Sequence, residues 1–235
     1  MKRTFLFLLT AALLGFGLQS CDREDNNGGG GNGSGTTSVQ WVDLGLPSGL
    51  LWADRNVGAK NPEDYGNYYA WGETTPKEVY DWNTYAYGSN LDAITKYCSS
   101  PYFGLNGFTD SLTTLEASDD AAMANLGDGA RMPTEGDWWE LINSTTNTWT
   151  TRNGVFGRLL TGPNGNSLFL PAAGIRDGLS LNFAGEVGCY WSNTLSQNLP
   201  YSAWRSELDT IYLSIDNGGE RYCGYSVRAV RTSQD

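Results

Sequence analysis

The chain has 235 residues, of which 15 are basic, 26 are acidic and none is histidine, for a net charge of −11. So acidic a surface is a poor match for nucleic acid or anionic lipid, both of which need clustered Lys and Arg. The missing histidine removes the commonest general base, the Ser–His and Cys–His nucleophile pairs and the usual zinc ligand together.

Lys2 and Arg3 precede residues 4–18, which are apolar apart from the threonines. This run is shorter than the ~20 residues of a spanning helix and reads as a secretory signal over residues 1–20. Leu18-Gln19-Ser20-Cys21 resembles a lipobox, in which a signal peptidase cuts before a cysteine that carries lipid. Cys21 is then expected to be the diacylated mature N-terminus; ordinary secretion would leave it a free thiol. Losing Lys2 and Arg3 takes the charge from −11 to −13. Asp22-Arg23-Glu24-Asp25 resembles the surface-export signal of gut-type Gram-negative lipoproteins, and equally fits a solvated charge run. Residues 21–38 otherwise read as a Gly/Asn/Ser tether that cannot bury apolar surface. Its Gly28, Gly30 and Gly33 match a dinucleotide fingerprint with no strand before or helix after, so the match carries no weight. The expected location is the outer membrane, surface-exposed, with the membrane touched only through lipid.

Residues 39–235 suit a single domain and hold all 9 tryptophans and all 13 tyrosines. Ser118 followed by acidic residues and an alanine run predicts a short helix ending at Gly127. Thr134 predicts a helix N-cap, with Glu135 and Asp137 in the first turn and Trp138, Leu141 and Ile142 at helical spacing to about residue 143. Strands are expected at 39–42, 50–53, 68–71, 168–170, 190–192, 204–208, 211–215 and 225–230. Asn-Gly pairs at 106–107, 153–154, 164–165 and 217–218 predict turns. The class is α+β with long loops.

Catalytic patterns are sparse. The sequence has no G-x-S-x-G elbow, P-loop or clustered metal-type cysteine spacing. Glu135 with Asp137, Glu207 with Asp209, and Asp177 with Glu186 could serve a glycosidase, but acidic residues at turns and strand faces look the same. The Asn164–Asn166 loop lacks EF-hand spacing, and Asn143-Ser144-Thr145 matches a glycosylation sequon that also suits a helix end. No cofactor and no metal are expected.

A resemblance sharpens this. Val42-Asp43-Leu44-Gly45-Leu46-Pro47-Ser48-Gly49-Leu50-Leu51-Trp52-Ala53, Asn56-Val57-Gly58-Ala59 and Tyr65-Gly66-Asn67-Tyr68-Tyr69-Ala70-Trp71-Gly72-Glu73 resemble the Fibrobacter succinogenes major paralogous domain. The likeness continues in Arg131-Met132-Pro133-Thr134, Leu168-Phe169-Leu170-Pro171-Ala172-Ala173-Gly174, Tyr190-Trp191-Ser192 and Ser226-Val227-Arg228. That family is related to the formylglycine-generating branch of C-type-lectin-like folds. The resemblance implies a small twisted antiparallel sheet, two flanking helices, long loops, and first and last strands near each other. It does not imply the enzyme, which uses two closely spaced cysteines, whereas Cys189 and Cys223 are far apart in sequence. If Cys21 carries lipid, Cys98, Cys189 and Cys223 remain, so at most one internal disulfide can form. Relatives often have aromatics at 189 and 223, which implies neighbouring strands and a Cys189–Cys223 bond, with Cys98 free and buried. Trp52, Trp71, Trp138 and Trp191 are expected in the core.

In related lectin-like proteins the last hairpin carries ligand contacts, and in some it is varied by a diversity-generating retroelement. Here residues 200–220 mix Trp, Tyr and Arg with Ser, Asp, Asn and Gly, the chemistry of recognition surfaces. Strand alternation predicts an outward row of Arg205, Glu207 and Asp209, joined by Tyr212 or Asp216 from the returning strand and by Asn217 at the turn. Tyr201 is placed as a flanking anchor, and Trp204 as either a stacking platform or a core plug. An ordinary half-exposed hairpin has the same polar alternation. The expected function is a non-catalytic module recognising a protein or glycan. The alternatives are a formylglycine-type enzyme or carboxylate-dependent hydrolase, and a structural part of a surface assembly.

Overall fold

Short strands separated by long loops fill the computed structural model, which describes residues 38–127 and 129–233. The signal, Cys21, the acidic cluster and the tether up to residue 37 lie outside the described residues. In chain order the elements are β1 (Trp41–Asp43), β2 (Leu51–Ala53), β3 (Tyr68–Tyr69), α1 (Ala121–Leu126), α2 (Glu135–Ser144), β4 (Thr146–Arg152), β5 (Val155–Thr161) and β6 (Ser167–Pro171). There follow β7 (Ile175–Asp177), β8 (Ser180–Asn182), β9 (Gly188–Leu195), β10 (Ser202–Leu208), β11 (Leu213–Glu220), β12 (Tyr225–Ser226) and β13 (Val230–Arg231). The class is α+β, as expected: small, mostly antiparallel sheets with two α-helices.

The central sheet runs β11-β10-β9-β12-β3, antiparallel except for the β9–β12 pair. β9 lies in its middle and is buried on both faces, so its apolar residues run consecutively instead of alternating. Cys189, Trp191 and Leu195 face one core cluster, with Trp71, Tyr69, Tyr97 and Tyr225. Tyr190 faces a second, with Trp52, Trp138, Leu170 and Leu208. Trp52, Trp71, Trp138 and Trp191 are each 0% exposed, as the core expectation requires. A methyl group at Gly219 would meet the Trp191 ring at 2.5 Å, so β11 needs a glycine where it crosses that indole.

The chain's first and last strands share one sheet, β1-β2-β13. Arg228, wholly buried, ties this closure to the rest by donating to Asn56 Oδ1, the Ala53 carbonyl and the Phe169 carbonyl. Three of the motif segments are therefore cross-braced by one guanidinium, whose pKa burial lowers to about 10.

Helix α2 begins as expected. The Thr134 side chain accepts from the Asp137 N–H, while Asp137 accepts from the Thr134 N–H and pairs with Arg131 at 2.6 Å. The first helix differs from expectation: a 3₁₀ turn covers Ala117–Asp119, and the cap of α1 is Asp120, not Ser118. The Asp120 carboxylate accepts from Ala122 and Met123 and also from Met132, so one buried acid joins the helix start to the Arg131-Met132 segment.

The threonine-rich stretch after α2 is strand β4, hairpinned to β5 through Asn153-Gly154. Both residues have positive φ, 49° and 83°, the geometry an Asn-Gly hairpin turn supplies. By contrast Asn217-Gly218 is no turn. Strand β11 continues to Glu220, and a bulge opposite Ala203 and Arg205 absorbs the extra residue.

Candidate functional site

The β10–β11 hairpin turns at Asp209, whose carboxylate accepts from the N–H groups of Ile211 (2.6 Å) and Tyr212 (2.8 Å). From that turn the strands carry alternate residues to opposite faces. Ser206 and Leu208 are buried, and Arg205 and Glu207 lie partly open on the other side, matching the expected alternation.

Arg205 organises the open face. Its Nη2 reaches Glu207 Oε2 at 2.6 Å and its Nε lies 3.3 Å from Asp216 on β11. Its Nη1 donates to the Tyr225 hydroxyl at 3.0 Å and to the Cys189 sulfur at 3.6 Å, and the guanidinium stands over the Tyr225 ring at 5.4 Å. Tyr225 in turn stacks on Trp191, with centroids 4.2 Å apart. Burial works against the Arg205 charge, but Tyr225, Cys189, Asp216 and Glu207 together hold its pKa above the ordinary arginine value. Glu207 also accepts from the Tyr212 hydroxyl at 3.1 Å, and that carboxylate is the main reason the exposed Tyr212 phenol is harder to ionise than usual.

The structure therefore unites four of the expected residues, Arg205, Glu207, Tyr212 and Asp216, and separates the others. Asp209 shapes the turn. Trp204 lies on the other side with Ser206 and Leu208, partly buried against the Trp138 cluster, as strand alternation requires; it plugs the core. Tyr201 packs edge-on against Phe103 at 5.3 Å. Asn217, expected at a turn, sits inside β11. Sequence reasoning missed Tyr225 and Cys189 as the floor of this face, since only the order of strands brings them under Arg205.

The expected Cys189–Cys223 disulfide is absent: both are free, buried thiols, as is Cys98. β9 and β12 are neighbours, as the pairing supposed, but each sulfur is engaged separately. Cys189 lies against Arg205 and Glu207, and Cys223 against Tyr222 and Tyr225. Burial pushes the Cys223 thiol up to about 12 and Cys189 higher still, so neither supplies thiolate at neutral pH.

Chemically, the face offers little free donor capacity, because the guanidinium forks are already used. It presents carboxylate oxygens, with Asp216 42% exposed, beside the apolar tip of Ile211 and Tyr212. Of the other acid pairs, Asp137 is committed to its capping box and to Arg131. Among the described residues no helix is long and apolar enough to cross a membrane. No protein-family model, curated protein or solved structure matches this chain.

Proposed function

We propose that this chain is a non-catalytic binding module of a bacterial lipoprotein, carried on the outer surface by lipid at Cys21, with a C-type-lectin-like fold. The fold reading draws support from the first and last strands sharing a sheet and from Arg228 bracing three of the motif segments. The observation that carries the binding reading is the ionic lattice of Arg205, Glu207 and Asp216, fixed on a rigid sheet next to an exposed Ile211–Tyr212 tip. Rigid charged groups around an aromatic and aliphatic tip suit recognition, because little side-chain entropy is lost on binding. The high thiol pKa values of Cys189 and Cys223 favour this reading over cysteine oxidase chemistry.

The test is a screen of the purified domain on a glycan array and against host and bacterial surface proteins. The ligand found should bind at least about ten-fold more weakly to Tyr212→Ala and Asp216→Asn with folding unchanged. Undiminished binding by both variants would remove the site assignment. Recovery of Cys21→Ser wholly in the membrane fraction would remove the anchor.

A further inference from the structure

A cavity of about 460 Å³, bordered by β3, residues 76–80 and the β7–β8 hairpin, shares no residue with the Arg205 face. That size falls within the about 300–1,000 Å³ of small-molecule sites. Backbone pairing holds its walls together. Tyr80 and Gly178 exchange two hydrogen bonds of 2.9 Å, as do Arg176 and Gly224. The Tyr80 hydroxyl accepts from the Lys77 N–H at 3.2 Å and donates to the Tyr68 carbonyl at 2.7 Å. A methyl group at Gly224 would meet the Tyr80 ring at 2.6 Å and Arg176 Cβ at 2.8 Å, so only a glycine there lets the two walls approach so closely.

Two cations line this cavity, and one of them is uncommitted. Lys77 Nζ is spent on Glu73 at 2.9 Å and on the Thr84 carbonyl at 3.0 Å. Arg176 is half-buried and stands 5.4 Å over the Tyr68 ring, and its guanidinium makes no hydrogen bond or ion pair among the described residues. A planar fork stacked on a ring is oriented before a ligand arrives, and its paired N–H groups match the two oxygens of a carboxylate. The phenols lining the cavity have no donor to spare. The Tyr68 hydroxyl donates to the Ala173 carbonyl at 2.5 Å, and Tyr80 donates to Tyr68.

We infer that this cavity binds a small monocarboxylate with an apolar body, its two oxygens held by the Arg176 guanidinium and its body laid against Pro76 and Leu179. Leu179 is 75% exposed at the tip of the β7–β8 hairpin, apolar surface that such a body covers. One free cation balances one negative charge. The exposed Glu78 in the lining and the net charge of −11 act against a second, which sets a carboxylate apart from a phosphate monoester. A sugar acid would lose the hydration of its hydroxyls with no free phenol to replace it. The site does not depend on the Arg205 face.

The test is a ligand-observed NMR titration of the mature chain with benzoate and cyclohexanecarboxylate, alongside their uncharged amides, glucuronate and phenyl phosphate. At least one of the two carboxylates should bind, and about ten-fold or more tighter than its amide. Arg176→Met, which keeps an apolar stem over Tyr68, should weaken it about ten-fold or more, and Leu179→Ser several-fold. Leu179 is exposed, so the second variant gives a reading even if the first does not fold. Lys60→Gln, at an exposed cation outside the cavity, should bind as the parent does, and so should Tyr212→Ala on the Arg205 face. Silence from both carboxylates, undiminished binding by Arg176→Met or Leu179→Ser, or tighter binding of an amide, glucuronate or phenyl phosphate would overturn the inference.

Discussion

Arg205 and Glu207 stand two residues apart on one strand and meet at 2.6 Å, with the Arg205 side chain only 18% exposed. Strand alternation puts them on the same face, but the neighbouring strands decide how much of that face is open. Arg205 is thus a structural hub at the edge of the candidate site as well as part of it.

Arg205→Ala should lower stability by about 1–3 kcal/mol, because it strips the donor from the buried Tyr225 hydroxyl and leaves the Glu207 and Asp216 carboxylates without their cation. Tyr212→Ala, at a 45% exposed position, should stay within about 0.5 kcal/mol. Urea unfolding of both variants checks the contrast. Equal, near-zero losses would show that the lattice contributes nothing to the fold.

Arg221 is wholly buried and holds two loops to β11. It donates to the Tyr85 hydroxyl and to the carbonyls of Lys96, Tyr97 and Pro200, with its guanidinium 4.9 Å above the Trp71 ring. A lysine ammonium cannot reproduce that planar fork. Arg221→Lys should therefore cost more than about 3 kcal/mol, since each abandoned buried acceptor costs about 1–3 kcal/mol. A loss below about 1 kcal/mol in thermal or urea unfolding would contradict the bracing role.

The thiols should be silent in the native protein. Alkylation at neutral pH should spare Cys98, Cys189 and Cys223 in the folded chain and label all of them after denaturation without reductant. A Cys189–Cys223 cross-linked peptide in the mass spectrum of that unreduced sample would refute the free-thiol arrangement.

Alkaline pH should unfold the protein through its buried phenols. Burial raises the pKa of Tyr190 and of Tyr87 to about 12, and that of Tyr68, Tyr85, Tyr97 and Tyr225 further. Folded values above the unfolded value of 10 mean that this stabilisation is complete below pH 10. It is lost as pH rises from 10 through 12 and beyond. Phenolate absorbance should lag until the cooperative loss of near-ultraviolet circular dichroism, then rise with it. Ionisation of these tyrosines near pH 10 in a still-folded chain would exclude the burial described.

How much could be read in the sequence depended on the range of the interaction responsible. Thr134 with Asp137 and the alternation of residues 204–208 are local patterns, set by neighbours within one turn or one strand, and both appear where sequence placed them. The α2 cap and the outward Arg205 and Glu207 were legible for that reason. Asn153-Gly154 and Asn217-Gly218 show the limit. The same dipeptide makes a hairpin turn in one place and runs through a bulged strand in the other, because pairing with β10 keeps β11 extended to Glu220.

The tryptophan core and the α+β class followed from the sequence alone, since large apolar side chains and strand–turn texture leave few other arrangements. Only the tertiary structure decided which polar groups went inside. Arginine side chains are mostly exposed in folded proteins, yet this fold buries Arg221 and Arg228, because backbone carbonyls from distant segments converge on their forks. It also decided that Cys189 lies under Arg205 and not against Cys223, and that Arg158 reaches the Asp209 carbonyl. These contacts join residues 16 to 59 positions apart, where no sequence period operates, so the order and register of the strands had to supply them.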